Sequence, residues 1–405
     1  MGRVTQHSFS NWSGSVSFTP HEIVHPADED EVVDRVRRAA EEGTRIRPVG
    51  TGHSSSKIMV TPDTLMSLDH LTGVTDHDTD VLRAKVLPGT GLEDLGEQLA
   101  EHGLAMENLG DVDYQAIAGA VGTGTHGTGE RMGNLSSTLV GGRLVTGTGE
   151  VVPFGEDAGA DADDDLLRAV QVSLGALGVL TSLTLRVLPA YDLHRRNWKT
   201  PIGWALEHFD ELAAINRHLD VYWYPRSDIA QVRTMNPPGE EPDLTPPGEL
   251  HREETGHSYD IITNQREIVF EEIEYMLPRD VALEVFEQVR RRVLDRHRKE
   301  VAWRVLLRTV AADRSMLSPF YERETMTIAL LHNTSLPYAD YFFDIEPILL
   351  EAGGRPHWGK KHTGTRAHLE PMYPEWDAFA RLRAQLDPRG VFASEDLDEL
   401  LGPVG

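Results

Sequence analysis

Three glycine-rich stretches and one histidine–lysine cluster hold most of this chain's chemical options. The first, Gly50-Thr51-Gly52-His53-Ser54-Ser55-Ser56, follows a short apolar strand. Gly50 and Gly52 let the backbone turn tightly and approach a ligand. Successive N–H groups in such a turn can form an anion nest, with the serine hydroxyls beside it. A plain chain reversal would use the same residues. The second stretch, residues 108–129, is more specific. After Ile117 it carries Gly119, Gly122, Thr123, Gly124, Thr125 and His126, with almost no bulky side chains. A packed core would want larger ones. A long rigid cofactor laid against the backbone would want this composition, with amides and threonine hydroxyls for phosphate oxygens. The third, residues 171–181, sets Gly175 and Gly178 three apart, as a ligand-facing backbone or a tight helix–strand junction. Residues 353–362 gather His357, Lys360, Lys361 and His362. The strand-like run 303–310 inserts Arg304 and Arg308 among apolar residues, where burial of arginine is costly. A strand-edge or solvent-facing arginine is the simpler alternative.

These groups need a scaffold. Val32, Val33, Val36 and Ala39 give residues 29–42 a helical period, and Ile46 and Val49 fit a buried strand. Residues 64–68 and 81–86 read as strands. Leu92, Leu95 and Leu99 predict a helix after Gly91, with Thr90 as its cap. Residues 143–152 predict a hairpin, residues 153–165 an acidic surface loop, and 183–187 a strand. The character changes near Pro189. Residues 222–225 are aromatic and strand-like, 235–251 form a proline-rich loop, and 281–297 a helix. Residues 325–331 form another strand, and the tail closes with a helix, a proline stop and a glycine turn. The expected division is 1–189, 190–345 as a substrate domain, and a tail 346–405.

Composition limits the function. The chain has 405 residues, a formal charge of -26 and no cysteine. Disulfides and thiolate chemistry are excluded, and the charge argues against nucleic-acid binding. No apolar run approaches membrane-spanning length and no signal pattern opens the chain, so a cytoplasmic protein without a membrane span is expected.

In this order, Gly50-Thr51-Gly52-His53-Ser54, residues 109–129, Val172 to Val179 and His357-Trp358-Gly359-Lys360 resemble the vanillyl-alcohol-oxidase-type FAD proteins, within them the gulonolactone, arabinonolactone and alditol oxidases. The resemblance implies an α+β fold: an FAD-binding domain of two α/β subdomains, a substrate domain on a large antiparallel sheet, and a tail returning to the flavin. It implies pyrophosphate contacts from Gly50, Thr51, Gly52, Ser54 and Ser55. His53 would bond covalently to the flavin, or only pack against it. Gly119, Thr123, Gly124 and His126 would line the ring and phosphates, and Gly178 and Val179 the adenine side. Lys360 and Arg308 would be the catalytic cations, with His357 reaching the flavin or holding Lys360. No metal is implied. The reaction would be oxidation of an alcohol carbon in a sugar lactone or polyol, with oxygen or another acceptor. A small side chain within 116–120 would control oxygen access.

Two departures bear on the substrate. The family's Glu-x-Arg pattern has Leu306 at its glutamate, and the family histidine on the next strand falls at Leu331 or Ala329. Leucine cannot accept a polyol hydroxyl, so a less polar alcohol is a rival substrate, and a flavin-bound scaffold without turnover a further one. Asp111, Asp113, Glu324 and His332 are the candidates to restore polarity.

Overall fold

The computed structural model describes residues 8–265, 268–301 and 303–404. Near the N-terminus, Glu22–Val24, Thr64–Ser67 and Ile46–Val49 form a small parallel sheet in that order. The Glu29–Glu42 helix connects two of these strands. Its N-terminus is capped by the Asp28 side chain accepting from the Glu31 amide, and Gly43 ends it in the left-handed region. Val32, Val33, Val36 and Ala39 are its buried face. Val151–Gly155, Leu139–Val145, Val179–Arg186, Arg83–Val86 and Val74–Asp78 form a second, antiparallel sheet. The core over this sheet takes side chains from the Leu92–Glu101 and Asp164–Gln171 helices. It also takes Trp376, Phe379, Leu397 and Leu401 from the C-terminal helices.

The largest element is an antiparallel sheet of eight strands. Its order is Glu249–His257, Asp192–Pro201, Ile229–Asn236, His218–Tyr224, Val305–Val310, Thr325–Asn333, Phe270–Pro278 and Arg355–Pro356. Side chains alternate between its faces. Val305 and Leu307, Ile328 and Leu330, and Ile273 and Tyr275 turn to the helices Ala282–Arg292 and Ala339–Glu351 and build one core. Leu306 and Arg308, Ala329 and Leu331, and Glu272 and Glu274 fall on the opposite face.

Three local expectations change. Thr90 does not cap the helix: the cap is Gly91, without a side-chain bond. Thr90 Oγ instead accepts from the Gly73 amide and donates to the Leu87 carbonyl. The acidic run after Pro153 is strand to Gly155 and then a 3-10 turn whose Asp157 pairs inward with Lys85 at 2.8 Å. The loop expected over 235–251 is shorter, because residues from Glu249 onward form an exposed edge strand. Its charged sequence carries no apolar alternation, which suits an edge and hides it from pattern reading.

Candidate active site

The glycine-rich stretches meet in one cavity, which also reaches the eight-stranded sheet and the tail. The first turn sits hard against the second stretch: a Cβ on Gly50 would lie 2.7 Å from the Ala116 Cβ, so only glycine fits. Arg47, 2 % exposed, ties the parts together. It donates to the carbonyls of Ile58, Gly175, Leu174 and Phe392 at 2.7–2.9 Å, joining the first turn, the third stretch and the tail. Pattern reading passed over this arginine because its partners are carbonyls remote in sequence.

Gly50, Thr51, Gly52, His53, Ser54, Gly119, Thr123, His126, Gly178, Arg308, His357 and Lys360 line the cavity. Ser55, Gly124 and Val179 stand behind the lining. The Ser55 amide donates to the Gly359 carbonyl at 2.8 Å, and Val179 packs in the core beneath the small parallel sheet. Gly124 adopts a φ of 74° beside Pro319 and Val172.

This lining fits an elongated dinucleotide such as FAD. A Cβ on Gly119 or Gly122 would meet nothing within 4 Å, so a side chain there would enter the cavity. His53 Nδ1 and Gln115 Oε1 are buried on its wall without a hydrogen-bond partner among the described residues. Burial, with Lys360 nearby, pushes the His53 imidazole down to about 3, so the ring is neutral. It packs against Trp12 with centroids 4.8 Å apart.

The opposite wall carries charge. Lys360 Nζ donates to Glu272 Oε2 at 2.6 Å. Arg308 donates from Nη2 to Glu274 Oε1 at 2.6 Å and from Nη1 to the His126 carbonyl at 3.4 Å. His126 Nε2 lies 3.2 Å from the same Glu274 oxygen. Burial alone would raise the Glu274 pKa, but Arg308 and then His126 hold it well below the carboxylate range. Burial raises Glu272, with Lys360 opposing. Burial works against charge on Lys360, yet Glu272 and Glu274 keep its pKa above the ordinary value. Burial also lowers His126 and His357, so both are neutral. His357 Nδ1 accepts from the Gly359 amide at 3.0 Å and so fixes the turn that carries Lys360. Ligand atoms of His126, Glu274 and His357 lie within 4.8 Å of one another, but the Arg308 guanidinium beside Glu274 would repel a cation there.

Glu272 and Glu274 supply the polarity that Leu306 and Leu331 lack. The signal was present in Phe270-Glu271-Glu272-Ile273-Glu274, two carboxylates on one face of a strand otherwise rich in apolar residues. Of the four residues expected to restore polarity, Asp111 alone lines the cavity. It accepts from Tyr222 at 3.1 Å and Asn264 at 2.9 Å. Asp113 lines a separate pocket with Glu93 and Arg252. Glu324 is exposed. His332 turns to the opposite face, beside Tyr341, with its ring nitrogens at the Asn333 and Glu300 carbonyls.

Comparison with known proteins agrees with this geometry. The family described as D-arabinono-1,4-lactone oxidase matches residues 183–254 and 248–400, and the FAD binding domain family matches residues 20–155. The chain is 37% identical over 436 residues to an L-gulono-1,4-lactone dehydrogenase of Mycobacterium tuberculosis, covering 98% of this chain and 99% of that one. It is 28% identical to the L-gulonolactone oxidase of Bos taurus, covering 97% and 98%. Cholesterol oxidase from B. sterolicum shares the fold, with a TM-score of 0.84 at 17% identity and coverage of 98% and 97%. Among the described residues no helix is long and apolar enough to cross a membrane. The scaffold without turnover is set aside, because the matching family model and the relatives are oxidases and dehydrogenases. The chain belongs to the vanillyl-alcohol-oxidase-type FAD oxidoreductases, in the branch of the gulonolactone and arabinonolactone oxidases.

Proposed function

We propose that this protein oxidises an alcohol carbon of a hydroxylated γ-lactone related to L-gulono-1,4-lactone. The observation that carries the reading is the pair of ion pairs, Lys360–Glu272 and Arg308–Glu274, on the wall of a glycine-lined cavity. When bound, FAD supplies the two-electron acceptor for the hydride leaving the substrate carbon. Gly50, Thr51, Gly52 and Ser54 would hold the pyrophosphate with backbone and hydroxyl donors, and Ser55 supports this turn from behind through its amide bond to the Gly359 carbonyl. Gly119, Thr123 and His126 lie along the ring and phosphates, with Gly124 shaping their turn. Gly178 offers backbone to the adenine side, and Val179 supports it from the core. We assign residues 1–189 and 346–405 to this cofactor side and 190–345 to the substrate side.

His53 presents a neutral imidazole, which suits a covalent bond to the flavin. Lys360 directs its ammonium at the substrate hydroxyl and favours loss of its proton, which the Glu272 carboxylate accepts. Arg308 stabilises negative charge that develops nearby. His357 positions Lys360. Oxygen or a second acceptor removes the electrons afterwards, and the small residues 116–120 set oxygen access. We place the protein in the cytoplasm, where its strong negative charge favours solubility.

Anaerobic addition of L-gulono-1,4-lactone or a simpler hydroxylactone should bleach the flavin absorption of the purified protein. Acid denaturation should leave the flavin on the wild-type chain and release it from His53→Ala. A flavin that no hydroxylactone reduces would overturn the substrate reading. Complete release from wild type would overturn the covalent bond.

A further inference from the structure

We infer that the substrate carries its reacting hydroxyl on a compact apolar body, with branched-alkyl or aryl substituents in place of a polyol's hydroxyls, seated on Phe270, Leu306 and Leu331. This rests on the hydroxylactone reading above and narrows its substrate.

The register of the sheet makes the argument. Leu306 pairs with Tyr222 on one side and Ala329 on the other, while Leu331 pairs with Glu272. Arg308 and Glu274 follow on the same face of their strands. The apolar floor therefore borders the Lys360–Glu272 pair directly, through Leu331, and begins about 7 Å, two residues along a strand, from Arg308 and Glu274. Tyr222, Phe270, Leu306, Ala329 and Leu331 form one buried cluster, packed by Trp12, Tyr224 and Trp303. Phe270, Leu306 and Leu331 open onto the cavity. Trp12 stands 5.1 Å from Phe270, and Phe270 stands 5.0 Å from Trp303. With Trp12 also against His53, an aromatic wall runs from His53 to the floor.

Among the described residues of the floor, Phe270, Leu306 and Leu331 offer a polyol no hydrogen-bonding group, and acceptor capacity is confined to the carboxylates at its border. The charged side chains beside it already have partners: Glu272 holds Lys360, and Glu274 holds Arg308 and His126. Asp111 is engaged by Tyr222 and Asn264 and lies near Arg233 and Arg304. Hydroxyls pressed on Leu306 and Leu331 would lose water without gaining a bond, whereas methyl or ring carbons gain by leaving water. The glutamate that the family pattern carries at position 306 would reverse this preference.

The test compares substrates on the wild-type holoenzyme. L-Gulono-1,4-lactone, α-hydroxy-γ-butyrolactone and its β,β-dimethyl analogue share the ring and differ in hydroxyl and methyl content. The dimethyl compound should exceed gulonolactone in kcat/KM for flavin reduction by tenfold or more. A readout without turnover is calorimetric binding of β,β-dimethyl-γ-butyrolactone, which has no hydroxyl to oxidise. Leu306→Glu should weaken that binding at least tenfold and shift preference toward gulonolactone. The wild-type ratio decides if this variant fails to fold. Gulonolactone preferred or equal would overturn the apolar inference and uphold the lactone reading. Reduction by benzyl alcohol and by none of the three hydroxylactones would do the reverse. If no compound reduces the flavin, binding decides: tight binding of the dimethyl lactone upholds the floor, and none overturns it.

Discussion

The cavity has two walls built in opposite ways. One is backbone: Gly50, Gly52, Gly119, Gly122 and Gly178 with a few hydroxyls, contributed by loops and a short helix. The other is side chain: Glu272, Glu274, Leu306, Arg308 and Leu331 stand on three adjacent strands of a rigid sheet. On the reading proposed above, the first wall holds a large group by leaving room for it. The second aims charge and apolar surface at a small one. Substitutions should therefore act on the two walls in opposite directions, since adding atoms harms the first and removing partners harms the second.

The largest effect is expected on the sheet. Glu274→Ala leaves the buried Arg308 without its counter-ion and should destabilise the protein by about 3–5 kcal/mol, read from denaturant unfolding. A loss under about 1 kcal/mol would show that the pair is not a structural unit.

Next is pH. Burial lowers His126 and His357, and lowers His218 to about 3. Folded values below the unfolded one near 6.5 mean that this stability is present above about pH 6.5 and is lost as pH falls toward the folded values. Each group contributes at most about 1.4 kcal/mol per pH unit within that window. Thermal midpoints should fall steadily from pH 6.5 to 5. A flat profile would mean that these histidines are charged or solvated.

The smallest effect belongs to the backbone wall. Gly119→Val should leave the fold intact, because its Cβ meets no atom within 4 Å. The same side chain should weaken flavin binding about tenfold or more, seen as reduced flavin content. Full flavin content would remove Gly119 from the cradle.

The same contrast explains what could be read in advance. The Glu29–Glu42 helix and the Ile46–Val49 strand announce themselves by apolar spacing. The backbone wall is legible because small residues cluster in sequence where they cluster in space. The side-chain wall is not. Glu272, Glu274 and Arg308 lie on two strands that pair through a third, and sequence distance hides their contact. Arg47 is concealed in the same way, its carbonyl partners lying 11 to 345 positions away. Leu306 and Leu331 were visible as departures, yet their cluster with Trp12 and Phe270 needed the register of the sheet.

In the proposed division of labour, the backbone wall keeps the flavin while the sheet and Lys360 do the chemistry. Lys360→Met tests both halves at once. Rapid mixing of the anaerobic variant with a hydroxylactone would follow flavin bleaching, and absorbance before mixing would give flavin content. Full flavin content is expected, with reduction slowed by about 10²-fold or more. Reduction at the wild-type rate, or a variant that has lost its flavin, would contradict it.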